Sequence, residues 1–335
     1  MPARLKSLVL SFACALSLPV MVESARADYS AHPQAQALID ELVAEEGFDR
    51  STLEQVLGQA ERKDRILEAI SRPAEKTKPW YEYREIFVTR QRENEGIEFF
   101  DKHRATFERA EAELGVPKEI ILAIIGVETY YGRIAGRWRV LDALSTLAFD
   151  YPRRSPFFTK ELKNYLMLTR EQGFDPVELT GSYAGAMGYG QFMPSSYREY
   201  AIDFDGDGVV DIWGNPVDAI GSVANYFKRH GWRTGEPVVF AANGGPDVPD
   251  EMFVQSRKDL KPTRTIAQFA EAGVVARQEL PPEAMATAMK FELEDGYQYW
   301  LGLHNFYVIT RYNHSAMYAM SVYQLSQNLA QRLPE

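Results

Sequence analysis

Residues 120–127 read Ile-Ile-Leu-Ala-Ile-Ile-Gly-Val, and Glu128 follows them directly. A helix that is apolar on every side has to be covered on every side. The chain must therefore wrap other elements around this segment and settle a carboxylate at its end. Pro117 suits the first turn of such a helix, and Glu119 lies near its positive pole. Thr129-Tyr130-Tyr131-Gly132 ends it. Apolar packing and aromatic rings around Glu128 disfavour its charged form and are expected to raise its pKa. A general acid working near neutral pH needs that environment. The competing reading is a glutamate that emerges into solvent or pairs with an arginine such as Arg133.

The cover for that helix is legible on both sides of it. Leu38, Ile39, Leu42 and Val43 form one apolar stripe stopped by Gly47, and Leu53, Val56 and Leu57 form the next, so 31–72 reads as short helices. Pro79-Trp80-Tyr81 opens a longer helical stretch. Ile97, Phe100, Phe107, Ala110 and Leu114 keep helical spacing up to Gly115. Helical patterning recurs over 155–172, 216–230 and 315–329. Between Gly235 and about Asp295 prolines and short apolar runs such as Pro237-Val238-Val239-Phe240 predict a small strand-rich insert. The fold class is therefore mainly α, with an α+β character from the insert. At 335 residues the chain has room for two or three packed domains.

Composition closes off other classes. With 45% hydrophobic and 25% charged residues, disorder and collagen-like or coiled-coil architectures are excluded. A net charge of −10 gives no general attraction to phosphates, so nucleic acid is not an expected partner. The start carries Arg4 and Lys6, an apolar run from Leu8 to Val22 and the small-x-small site Ala25-Arg26-Ala27. The run is short for a membrane span. The pattern predicts a signal peptide cleaved near Ala27 and an exported, soluble, periplasmic product with no integral membrane segment, with an uncleaved anchor as the alternative. Cys14 is the sole cysteine and falls inside that leader, so the mature chain is expected to hold no disulfide and no thiolate metal site.

A second feature is Gly181-Ser182-Tyr183-Ala184-Gly185-Ala186-Met187-Gly188-Tyr189-Gly190-Gln191-Phe192-Met193-Pro194. Its glycines let backbone approach a ligand closely, and Ser182 and Gln191 supply polar groups. It lacks the Gly-Lys-Ser/Thr ending of a phosphate loop. A tight structural loop is the alternative. A third is Asp203-Phe204-Asp205-Gly206-Asp207-Gly208-Val209-Val210-Asp211. It reads as the first part of an EF-hand loop, with Asp203, Asp205 and Asp207 as ligands, Gly208 at the turn, the Val209 carbonyl next and Asp211 acting through water. Gly214 stands where the closing glutamate belongs, so the twelve-residue pattern is broken. His32, His103, His230, His304 and His314 are scattered, with no zinc motif.

Gly126-Val127-Glu128-Thr129-Tyr130-Tyr131-Gly132 and Gly185 through Tyr197 together resemble the membrane-bound lytic murein transglycosylase B family. Asp218 through Phe227 and Asn305 through Asn313 extend the likeness over nearly the whole mature chain. The resemblance implies a lysozyme-like helical core with an N-terminal helical lobe and a small strand-containing insert. The implied division is a signal peptide at 1–27, a helical lobe at 28–100, a catalytic core at 101–235, the insert at 236–295 and a return segment at 296–335. It implies cleavage of the MurNAc–GlcNAc bond of peptidoglycan glycan strands without water, leaving a 1,6-anhydro sugar, with Glu128 as the sole acid and base and no catalytic cofactor. By the same likeness Ser182, Gln191, Phe192, Tyr83, Tyr226, Tyr312, Asn313 and Tyr318 line or support the sugar cleft, and Arg153 and Arg154 suit the acidic peptide stem. The family also has a longer cation loop ending in an aspartate, which matches Asp218 and implies a structural Ca2+. Two other readings stay open: a hydrolase that admits water to the same cleft, and an inactive calcium-dependent peptidoglycan-binding protein. Partners in cell-wall synthesis are not legible.

Overall fold

A computed structural model describes residues 29–71 and 78–334. The leader, with Cys14 and the site near Ala27, lies outside the described residues. The first three helices are short and firmly stopped. α1 (Pro33–Glu46) starts on a proline and ends at Gly47, whose φ is +66°. α2 (Arg50–Gly58) is capped by Asp49, which accepts the Thr52 N–H at 2.8 Å. α3 is Asp64–Ile70. α4 (Trp80–Phe87) leads into α5 (Arg90–Leu114), the longest helix, which Thr89 caps and Gly115 closes in the left-handed region. The expected boundary between residues 100 and 101 falls inside α5 and is not a break in the structure.

α6 (Lys118–Thr129) carries the apolar run, and Ile120 through Ile125 are buried. A two-residue strand β1 (Trp138–Arg139) precedes α7 (Val140–Phe149) and α8 (Ser155–Gln172). β2 (Thr180–Gly181) pairs back onto β1, with Trp138 opposite Gly181. α9 (Pro194–Tyr200) and α10 (Pro216–Arg229) follow. Two hydrophobic cores result. One gathers α4, α5, α6, α10 and the C-terminal helices around Ile121, Ile124, Phe107 and Phe227. The other joins α1–α3 to α7 and α8 through Leu42, Leu57, Leu144 and Leu162.

The insert contains β3 (Val239–Asn243), β4 (Arg264–Thr265), the short α11 (Ile266–Glu271), β5 (Val275–Ala276), β6 (Met285–Glu292) and β7 (Tyr297–Gly302). These strands form one antiparallel sheet in the order β4-β6-β7-β3-β5. Its core holds Ala242, Phe253, Phe269, Ala286 and Leu301. The sheet runs to Gly302, beyond the expected end of the insert at 295, because Tyr297, Tyr299 and Trp300 supply β-forming side chains that pair with β6. Val239 lies opposite Gly302, and the Leu303 N–H donates to the Val238 carbonyl at 2.9 Å, so the chain leaves and rejoins the helical body at one place. α12 (His304–Tyr312) and α13 (Ala316–Ala330) complete the first core.

The end of α6 is unusual. Tyr130 and Tyr131 both have left-handed backbones, with φ of 54° and 59°. Each such non-glycine residue costs about 1–2 kcal/mol. The Tyr131 ring offsets this by filling a notch that only glycines leave open. A Cβ on Gly96 of α5 would stand 2.4 Å from its hydroxyl oxygen, and one on Gly126 would stand 2.7 Å from its ring. The ring also stacks on Phe99 at 5.7 Å.

Candidate active site

Glu128 occupies the last turn of α6 and is half-buried. The Tyr318 hydroxyl donates to its Oε1 at 2.5 Å. Tyr318 sits in the first turn of α13, where Ser315 caps the helix. Burial first, then the charge of Glu128, raises the Tyr318 phenol well above its ordinary pKa. Tyr312, at the end of α12, is shifted the same way for the same two reasons. Both phenols therefore remain protonated donors at neutral pH. Arg133, the alternative partner for Glu128, pairs with Glu95 on α5.

Behind the glutamate stands an aromatic wall. The Tyr312 hydroxyl donates to the Gly190 carbonyl at 2.6 Å, and the Tyr226 hydroxyl donates to the Arg311 carbonyl at 2.6 Å. Phe192 packs 5.8 Å from Tyr226 and 5.9 Å from Tyr312. Phe192, Tyr226, Tyr83 and Tyr318 are all buried, so they offer little ring face to a sugar. Asn313 ends α12 in an extended conformation and is half-buried.

The glycine-rich segment adjoins this wall through Gly190 and Phe192. Gln191 has a left-handed backbone with φ of 51°. Its amide N–H groups donate to the carbonyls of Ala135 and Gly188, both at 3.0 Å, tying the segment to the turn after α6. The Ser182 hydroxyl oxygen accepts the N–H groups of Ala184 and Ala186 at 3.2 and 3.0 Å. Ser182 and Gln191 line a cleft of about 470 Å³ with Arg133, Arg137, Trp138 and Tyr183. Thr129 is a residue that sequence reasoning missed. Its hydroxyl donates to the Tyr189 carbonyl at 2.9 Å and accepts the Gly132 N–H at 3.0 Å, riveting the segment to the residue beside Glu128. The signal was its place directly after the acid. Arg153 and Arg154 do not join this group. They are exposed on the turn between α7 and α8, where Arg154 lies over Phe157 at 4.4 Å.

The acidic loop adjoins the glycine-rich segment. The Tyr189 N–H donates to the Ile212 carbonyl at 3.0 Å, and the Trp213 indole donates to the Thr180 carbonyl at 3.0 Å. Within the loop, carboxylate oxygens of Asp203, Asp205 and Asp218 lie within 4.8 Å of one another. Asp203 accepts the N–H groups of Gly206, Asp207 and Gly208, which hold its carboxyl below the ordinary range. Asp218 is fully buried and accepts the N–H groups of Phe204 and Asp211 at 2.7 and 2.8 Å. Burial pushes its carboxyl up. Asp207 accepts the Val209 N–H, and Asp211 accepts those of Trp213 and Gly214, so these two cap their own turns outside the close group. Three crowded carboxylates, one of them fully buried, suit a hard cation with oxygen ligands.

Comparison with known proteins places this arrangement. Residues 30–327 match the transglycosylase SLT domain family. The chain is 47% identical over 313 residues to the membrane-bound lytic murein transglycosylase B of Escherichia coli K12, covering 90% of this chain and 84% of that one. The soluble lytic transglycosylase SltB1 of Pseudomonas aeruginosa superposes with a TM-score of 0.85 at 51% identity, over 90% of this chain and 99% of that one. The Escherichia coli lytic transglycosylase Slt35 in complex with calcium superposes with a TM-score of 0.83 at 46% identity, over 91% of this chain and 95% of that one.

Proposed function

The chain belongs to the transglycosylase SLT domain family and is a peptidoglycan lytic transglycosylase; on that footing we propose that Glu128 alone carries both proton transfers. The observation that supports this is the Tyr318 phenol donating to Glu128 Oε1 from a buried position. A phenol bound to Oε1 keeps the carboxyl proton on the other oxygen, where it can be delivered. Glu128 protonates the glycosidic oxygen as the bond to C1 of the muramoyl residue breaks. It then takes the proton from that residue's C6 hydroxyl as O6 bonds to C1. No water is consumed, and the product is the 1,6-anhydro sugar. A second protein nucleophile is unnecessary because the attacking hydroxyl is tethered to the reacting ring. A reaction of this kind needs no catalytic cofactor.

Ser182 and Gln191 lie on the cleft as groups for the sugar's polar substituents, and Asn313 adds a half-buried amide beside Tyr312. The aromatic wall fixes the glutamate. Asp203, Asp205 and Asp218 would hold a Ca2+ ion, with Asp207, the Val209 carbonyl and Asp211 completing its shell. The ion's contribution is rigidity, since the loop braces the glycine-rich segment through Ile212 and Trp213. The calcium complex of Slt35 supports this reading. An amino-terminal leader that directs the chain to the periplasm belongs to the same proposal. Among the described residues no helix is long and apolar enough to cross a membrane.

The test is mass spectrometry of fragments released from purified murein sacculi. Anhydro products, lighter by one water than hydrolytic fragments and absent with Glu128→Gln, are expected. Glu128-dependent reducing-end products would make the enzyme a hydrolase. No products from folded, calcium-loaded protein would leave only binding.

A further inference from the structure

A cavity of about 780 Å³ lies between α4, α13 and the β6–β7 hairpin and shares no lining residue with the cleft of Ser182 and Gln191. Two of the chain's five tryptophans, Trp80 and Trp300, line it together with Tyr81 and Tyr323. The indole N–H groups of Trp80 and Trp300 are buried and have no acceptor in the protein. Gln298 and Gln327 also line the cavity, and no other described side chain or backbone group engages their amides. Gln324 is taken by Arg84, whose Nε donates to it at 2.5 Å, and Asn328 by Glu93. Glu85, Glu294 and Asp295 complete the rim.

This set of groups defines the ligand by its chemistry. The half-buried rings of Tyr81, Trp300 and Tyr323 suit the C–H face of a pyranose, and the buried Trp80 backs them. Uncommitted amides both donate and accept, and carboxylates accept from hydroxyls. A concave site with a few polar groups among rings is the usual form of a small-ligand site. The acidic rim disfavours phosphates and anionic peptides. We propose that this pocket binds a saccharide segment of the glycan strand, away from the bond being cleaved. The assignment rests on the glycan-cleaving function above. The placement follows from α13. Tyr318 in its first turn holds Glu128, and Gln327 lies nine residues further along, roughly 13 Å at 1.5 Å per residue. Trp80 stacks on Tyr83 at 6.5 Å, so α4 also runs from the aromatic wall to the pocket. An insoluble strand held there would keep the enzyme on its substrate between cuts.

The probe is chitotetraose, titrated calorimetrically into full-length Glu128→Gln protein so that nothing turns over. Two binding events per chain are expected. One should weaken at least tenfold in Trp300→Ala and in Gln298→Ala/Gln327→Ala, while the other stays unchanged. The second variant alters only uncommitted amides, so it reads the pocket even if Trp300→Ala fails to fold. In the otherwise wild-type chain the amide variant should cleave a soluble murein tetrasaccharide at the normal rate and release fragments from sacculi severalfold more slowly. A single binding event, or a second event indifferent to the amide variant, overturns the proposal. So does a pocket that binds tetralysine and not the sugar, since the rim would then select cations. Failure of the cleavage assay with two sugar sites intact would count against the lyase reading and leave the pocket standing.

Discussion

Glu128 and Asp203 are both carboxylates at the edge of a core, and the chain surrounds them with opposite materials. Asp203 is held by backbone N–H groups of Gly206, Asp207 and Gly208, which stabilise its charge and lower its pKa. Glu128 meets the Tyr318 phenol at the end of an apolar helix. The first environment suits a group that must stay charged, as a cation ligand does. The second suits a group that must change protonation state twice per turnover. Residue type is the same in kind, and the donors around it divide the labour.

The sharpest way to break this comparison is to remove the titrating proton. Glu128→Gln keeps the shape and is expected to lower kcat by at least ~10³-fold, since each general acid or base step contributes about 10²–10⁴-fold. The melting temperature should barely move; activity within tenfold of wild type would mean another group moves the protons. Next is Tyr318→Phe. A hydrogen bond to a charged group contributes about 1.5–3 kcal/mol, so kcat should fall roughly 10–100-fold with a smaller change in KM. Equal loss in kcat and gain in KM would make Tyr318 a substrate contact instead.

The loop should respond to a different stimulus. Calcium at about 100 times its Kd would stabilise the chain by ~2.7 kcal/mol. Asp203→Ala or chelation should abolish that rise in melting temperature while leaving low-temperature kcat within about threefold. A melting temperature indifferent to calcium would refute the cation reading of the loop. The smallest effect expected is at His230, whose ring stacks on Tyr226 at 4.0 Å. Burial lowers its pKa below the ordinary 6.5. The native state therefore resists a proton that the unfolded chain accepts. Stability is full above about pH 6.5 and declines as the pH falls through the native value. His230→Asn should flatten that part of the stability profile, measured by denaturant titration between pH 5 and 7.

Much of this was legible in the residues. The apolar run fixed a buried helix because no amphipathic alternative exists for it, and Glu128 followed from its position. The three crowded aspartates were half legible: spacing marked Asp203 and Asp205, whereas Asp218 came only from family likeness, because a residue fifteen positions away has no local period. Asn215, which donates to Asp205 at 2.7 Å, left no signal at all. The aromatic residues were found, but the sequence left stacking on sugar and support of the glutamate both open. Burial of Phe192 and Tyr226 depends on how α10 and α12 cross, which one strand of sequence does not encode. The boundaries at 100 and 295 failed for a related reason. Long helices and hairpins continue across changes of composition, and pairing partners are remote.

The single crossing between β3 and β7 has a consequence for how such chains diversify. Because Val239 and Gly302 are rungs of one ladder, the stretch between them starts and ends a strand spacing apart, about 5 Å, while Met289 and Phe291 within it also pack into the helical core. The entropy cost of closing the stretch between such ends grows only slowly with its length. A module of another size with adjacent ends can be spliced at this ladder, or the stretch cut back to a tight hairpin, without rethreading the helices that hold Glu128. Natural variation and engineered exchange should both concentrate there.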